Sequence, residues 1–180
     1  MADVECEVRS FIDADKLAEL DAKFREEGEF LGEEHQETHY FDCEQDLRIQ
    51  RSDSGSKVWL KKGKLHDDSR EEIEIRSGFD DFSKLADLFA ELDYGTEIKW
   101  FRHRRRYEWR GVKVTLDSTK GYGDIIELES VVPEVEKEGC VAGLKTLMSR
   151  LDIEPTPKEE FKRRFEHYKA NWKELVEEER

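Results

Sequence analysis

Charge alternates with apolar character at every second residue over much of the chain, and both signs of charge take part. Glu5, Glu7 and Arg9 alternate with Val4, Cys6 and Val8. Arg70, Glu72, Glu74 and Arg76 flank Ile73 and Ile75, and Lys113, Thr115 and Asp117 flank Val112, Val114 and Leu116. Glu127 and Glu129 alternate with Ile126 and Leu128, while Arg102, Arg104 and Arg106 share one parity and Arg48 precedes Ile49. Successive side chains of a strand point to opposite faces, so each such segment reads as a strand with one apolar and one ionic face. Strands are expected over 3–11, 36–42, 46–52, 57–62, 70–76, 97–109, 111–117 and 124–131, with hairpin turns at Ser52-Asp53-Ser54-Gly55 and Trp109-Arg110-Gly111.

Four segments carry helical periodicity instead. Leu17, Leu20 and Phe24 follow Asp13 and stop at Gly28, and Leu85, Leu88, Phe89 and Leu92 follow Asp80-Asp81. Val141, Leu144, Met148 and Leu151 form a third stripe. A capping box at Thr156-Pro157-Lys158-Glu159 opens a long helix over about 157–178 bearing Phe161, Phe165, Tyr168, Trp172 and Leu175. The strand and helix around Glu5 and Lys16 recur around Glu72 and Lys84, 67 and 68 residues later, which suggests two related halves. The expectation is α+β: one domain over 1–180 with an eight-stranded antiparallel β-barrel and helices packed on its outside.

Composition decides what such a chain is not. Charged residues are 42% and the net charge is −14, yet 19 aromatics and only 3 prolines rule out a solvated tail. No apolar run reaches the roughly 18 residues of a membrane span. The charged N-terminus and an odd set of cysteines (Cys6, Cys43, Cys140) without CxxC spacing fit reduced thiols in the cytoplasm and no zinc cluster. The acidic balance disfavours nucleic acid as a partner.

The ionic faces then need a destination. A solvated sheet face is the simpler reading on composition alone. Against it, both signs recur on strand after strand, and four helices are more cover than one sheet face needs. The apolar face therefore packs outward against Leu17, Leu88, Phe165 and their neighbours, and the charged face lines the interior. An interior cluster of Glu5, Glu7, Asp117, Glu127 and Glu129 calls for cations, and an all-oxygen donor set selects Mg²⁺ or Mn²⁺. Arginines and lysines beside it call for a polyphosphate.

These residues resemble the CYTH family, the triphosphate tunnel metalloenzymes, which include class IV adenylate cyclases, thiamine triphosphatases and inorganic triphosphatases. The family's ExExK appears as Glu5-Cys6-Glu7-Val8-Arg9, its tyrosine motif as His39-Tyr40-Phe41-Asp42, and its LRxR as Leu47-Arg48-Ile49-Gln50. Lys62-Gly63, the RxExE of Arg70, Glu72 and Glu74, and the basic run of Arg102, Arg104 and Tyr107 follow in order. Leu116-Asp117 and Gly121-Tyr122-Gly123-Asp124-Ile125-Ile126-Glu127-Leu128-Glu129 close the series. The resemblance implies metal ligation by Glu5, Glu7, Asp117, Glu127 and Glu129, with Glu5, Glu7, Arg9, Glu127 and Glu129 as the catalytic set. It implies phosphate contacts from Arg9, Arg48, Lys62 and Arg104, with Arg70 and Arg102 beside them. Arg9 and Arg102 stand where the family has lysine, Gln50 where it has arginine, and Thr38 where aspartate is common.

The implied activity is metal-dependent chemistry on a triphosphate-bearing small molecule: ATP, tripolyphosphate or thiamine triphosphate. The motif order is most like class IV cyclases, which convert ATP to cyclic AMP and pyrophosphate. A triphosphatase is the alternative, a non-catalytic polyphosphate-binding module a second, and a salt-bridged acidic scaffold a third. A monomer or homodimer without nucleic acid or membrane partner is expected. Single residues outside the motifs read blandly: the five histidines as polar surface or as support for the site, with His103 outside the tunnel by parity. Lys57, Lys61 and Lys64 read as solvated, Cys6 as a buried apolar group, and Trp59 and Trp100 as core rings.

Overall fold

The computed structural model describes residues 3–61 and 72–178. The elements run β1 (Asp3–Ile12), α1 (Ala14–Glu27), β2 (Glu29–Phe41), β3 (Asp46–Ser52), β4 (Gly55–Lys61) and β5 (Glu72–Ser77). They continue with α2 (Asp81–Glu91), β6 (Thr96–Trp109), β7 (Val112–Thr119), β8 (Gly123–Pro133), α3 (Lys137–Arg150) and α4 (Lys158–Glu178). All eight strands join one antiparallel sheet in the order β1-β8-β7-β6-β2-β3-β4-β5. The barrel-like sheet has β1 and β5 at its ends, with no ladder between them among the described residues.

The sequence repeat is realised in this order. Exchanging β1-α1-β2-β3-β4 for β5-α2-β6-β7-β8 reverses the sheet onto itself, so the halves meet at β2 and β6 about a pseudo-twofold. Asp13 caps α1 by accepting the Lys16 N–H, and Gly28 ends it. The β6–β7 hairpin turns through Arg110 and Gly111, both with positive φ (53° and 76°), as a two-residue turn requires. β2 starts seven residues earlier than its alternation indicates. A register shift between Phe30 and Gly32, with Gly32 at φ 126°, breaks the period of two there.

The outer face of β1, β6, β7 and β8 holds Val8, Tyr107, Val114, Leu116, Ile126 and Leu128, buried against Leu17, Leu20 and Phe24 of α1 and Leu144 and Met148 of α3. Each such side chain contributes about 1.5–3 kcal/mol on burial. Cys6 is buried among them, as its parity requires. Phe41, Ile49 and Phe82 form a second cluster with Val58, Leu85 and Phe89 under α2. Leu88 is 53% exposed and packs in neither, because α2 turns the Leu85 and Phe89 side inward.

The long C-terminal helix departs from the expected outer position. Trp100 shares the strand face of Arg102 and Arg104, and Phe11 that of Arg9. Those two rings, with Tyr122, receive Phe161, Phe165 and Tyr168 of α4. The Tyr168 hydroxyl donates to Lys99 O (2.7 Å) and Trp172 Nε1 to Glu97 O (2.8 Å). Thus α4, including Phe165, meets one end of the ionic face, where exposed rings would otherwise face water. Thr156 is spent on β1 instead of on a capping box: its Oγ1 accepts the Phe11 N–H (3.0 Å) and its N–H donates to Arg9 O (3.2 Å).

Candidate active site

Strand order places the first and last acidic segments side by side. In the β1–β8 ladder Glu7 lies opposite Glu129 and Arg9 opposite Glu127, with Glu5 one step along the same face. Carboxylates facing one another across a ladder repel. Lys113 on β7 answers Glu129 at 2.9 Å, but among the described residues Glu5, Glu7 and Glu127 have no side-chain hydrogen bond or ion pair. Burial pushes the Glu127 carboxyl up to about 7, with the Glu7 carboxylate adding to it and Arg104 opposing. Partial burial, then Glu129 and Glu7, raise Glu5 as well.

The neighbouring wall is basic. Buried Asp117 on β7 accepts from Arg104 Nε (2.8 Å) and Nη2 (2.6 Å) and from Arg102 Nη1 (3.3 Å). Arg102 also donates Nε (2.8 Å) and Nη2 (2.5 Å) to Gln36 Oε1 across the β2–β6 ladder. Arg106 pairs with Glu34 at 2.8 Å. Farther round, Arg48 on β3 is gripped by Asp46 through Nε (2.6 Å) and Nη2 (2.7 Å) and lies 4.3 Å over the Tyr40 ring. Gln50, on the same face, donates to Thr38 Oγ1 (2.9 Å).

Glu5, Glu7, Arg9, Glu127, Glu129, Asp117, Arg102, Arg104 and Arg48 therefore share one ionic face. Lys62 and Arg70 lie outside the described residues. Lys57 is not simply solvated: half-buried, it reaches Glu74 at 2.8 Å and lies 4.5 Å over the Trp59 ring. Lys61 is half-buried too, on the same strand face. Gln36, Glu34, Asp46 and Glu74 hold the arginines and lysines in place and went unselected as site residues. Parity marks Gln36, Asp46 and Glu74 but not Glu34, which precedes the alternating segment, and Glu34 and Gln36 face Arg104 and Arg102 only once β2 is paired with β6.

The donor chemistry fits a hard divalent cation: oxygen ligands only, with mutual repulsion left uncompensated on β1 and β8. Among the described residues, no three His, Cys, Asp or Glu side chains already surround one point, so holding an ion requires these carboxylates to rotate toward each other.

A cleft of about 610 Å³ is lined mainly by residues of the outer parity, among them His35, Arg51, Phe101 and His103, and it also reaches Gln36 and Arg102. His103 stacks on His35 (4.3 Å, 8°) there, outside the ionic face as its parity requires. His39 is buried rather than surface, at 2.8 Å from Glu37 and edge-on to Phe82.

The CYTH domain model matches residues 3–160. No curated protein matches the chain. A Pyrococcus horikoshii structure is 29% identical with a TM-score of 0.61, covering 84% of this chain and 92% of that one. A putative adenylate cyclase from Vibrio parahaemolyticus is 15% identical, TM-score 0.61, covering 89% and 98%. A putative adenylyl cyclase from Hippeastrum, described as having a dominant triphosphatase activity, is 18% identical, TM-score 0.61, covering 89% and 93%. No described helix is long and apolar enough to cross a membrane. With the matched model spanning β1 to the start of α4 and the same fold in these structures, the chain belongs to the CYTH domain family.

Proposed function

We propose that this protein is a divalent-metal-dependent enzyme that processes a triphosphate-bearing small molecule on its ionic face. One observation carries the reading: unpaired carboxylates of β1 and β8 stand beside a wall of guanidinium groups held by their own partners. The CYTH tunnel enzymes are in general divalent-metal dependent; Glu5, Glu7, Glu127 and Glu129 would hold Mg²⁺ or Mn²⁺, which would supply Lewis-acid charge neutralisation for a triphosphate and its nucleophile. Asp117 orients Arg102 and Arg104, and these with Arg48 and Arg9 take up the charge of the phosphate chain. The rows of opposite sign fix that chain lengthwise, which is most of what phosphoryl transfer asks of a protein.

Hydrolysis of the terminal phosphate is the reading the geometry favours over cyclisation. A cyclase must seat a nucleobase, and the rings on this face are already engaged. Tyr40 carries Arg48, Trp59 carries Lys57, and Trp100 and Tyr122 are covered by α4. The Hippeastrum protein, named as a cyclase and described as chiefly a triphosphatase, points the same way. Class IV cyclase-like activity on ATP is the second reading, supported by the order of motifs.

Tripolyphosphate, thiamine triphosphate and ATP, each with Mg²⁺ or Mn²⁺, test this directly. Orthophosphate release that stops in EDTA is expected. Cyclic AMP with pyrophosphate and no orthophosphate would establish the cyclase instead. Tight metal-dependent binding without product would identify a binding module, and neither binding nor turnover would remove the proposal altogether.

A further inference from the structure

Arg9 is held differently from the other arginines of the ionic face. Arg48, Arg102, Arg104 and Arg106 are each hydrogen-bonded to a carboxylate. Arg9 lies opposite Glu127, yet its guanidinium has no hydrogen bond or ion pair among the described residues. What it touches is a ring: its guanidinium lies 4.3 Å over Phe161. Phe161 in turn stacks on Phe11 (4.6 Å, 29°), and Arg164 lies 4.0 Å over the Phe11 ring, tied to Glu160 at 2.7 Å. The column Arg9–Phe161–Phe11–Arg164 is fastened to β1 by Thr156, whose N–H donates to Arg9 O and whose Oγ1 accepts from Phe11 N.

An acid partner fixes a guanidinium by consuming its N–H donors and cancelling its charge. An aromatic face fixes it by attraction to the ring quadrupole and consumes none of the five donors. We infer that Phe161 is a positioning residue for Arg9, holding the guanidinium beside Glu127 with its N–H donors unspent for a phosphate oxygen of the substrate. Phe161 and Arg164 lie just beyond the residues matched by the CYTH model, whereas Arg9 and Phe11 lie within them. The inference rests on the triphosphate reading above.

The test is calorimetric binding of tripolyphosphate with Mn²⁺ to the full chain. Replacing Phe161 by a ring-trifluorinated phenylalanine keeps the shape and removes the negative ring face. Binding should weaken about three- to tenfold, the span of an exposed to partly desolvated cation–π contact, with the melting point lowered by no more than about 5 °C. Phe161→Leu should weaken it as much, Phe161→Tyr by less than twofold, and in an Arg9→Ala background the fluorinated ring should change nothing further. Should Phe161→Leu fail to fold, the fluorinated protein and its Arg9→Ala counterpart carry the test alone. Unaltered binding by the fluorinated protein, or equal loss in the Arg9→Ala background, overturns the role of Phe161 while leaving the triphosphate reading standing. Absence of binding by the unsubstituted protein overturns both.

Discussion

Removing one charge, by Glu127→Gln, gives the sharpest test of the acidic cluster because its sign is opposite to ordinary acid denaturation. Glu127 titrates at about 7 in the folded chain, against 4.5 for an unperturbed glutamate. A carboxyl raised on folding contributes fully to stability below the unfolded value, and that contribution is lost as pH climbs through the folded one. At 1.36 kcal/mol per unit the raised value corresponds to about 3 kcal/mol, an upper bound for a partly buried side chain. For a chain of this size that is on the order of 10 °C in melting temperature. Metal-free wild type in EDTA should therefore lose stability between about pH 5 and pH 8, and Glu127→Gln should lose about that much less.

The comparison between the two proteins isolates the group. Asp21, Glu37 and Glu74, whose carboxyls are held low by their partners, contribute stability lost only as pH falls below the ordinary carboxylate range. His103, lowered by burial and by Arg105 and His35, acts with opposite sign near the same window. It faces Glu33 and Arg105 on the outer side of the sheet and cancels in the difference. Differential scanning calorimetry at several pH values, with and without Mn²⁺, reads the effect. A cation competes with the proton, so Mn²⁺ should restore wild-type stability most at pH 8. Parallel melting curves for wild type and Glu127→Gln would refute the reasoning.

Glu127→Ala combined with Glu129→Ala should abolish metal-dependent turnover while the metal-free protein melts no lower, since like charges are relieved; retained turnover by the double variant would move the metal elsewhere. Asp117→Ala should cost about 3–5 kcal/mol in urea denaturation, because it leaves Arg102 and Arg104 without their carboxylate. A loss under 1 kcal/mol would mean the two guanidiniums find other partners. Gln50→Arg should tighten tripolyphosphate binding about tenfold by adding one charge-assisted contact on the face of Arg48. An unchanged dissociation constant would place position 50 off the path of the phosphate chain.

What the sequence alone determined is the partition of the strands into two faces. Alternation is a local property of the extended backbone, so Glu5, Glu7, Arg9, Glu127 and Glu129 could be assigned to one face and Cys6, Val8, Ile126 and Leu128 to the other without any partner strand. Helix limits at Asp13 and Gly28 were legible for the same reason, since caps act within a turn. The strand start at Glu29 was hidden because the shift beside Gly32 erases the alternation that reveals a strand. Only the tertiary structure decided who faces whom. Nothing local to Glu7 records that Glu129 lies across from it, nor that Gln36 and Asp117 divide Arg102 between them. The aromatic row of α4 looked like any packing stripe. Its meeting with Phe11, Trp100 and Arg9 depends on the return of the chain to β1 after about 150 residues. Contacts of that separation are chosen by global packing, which side-chain periodicity does not encode.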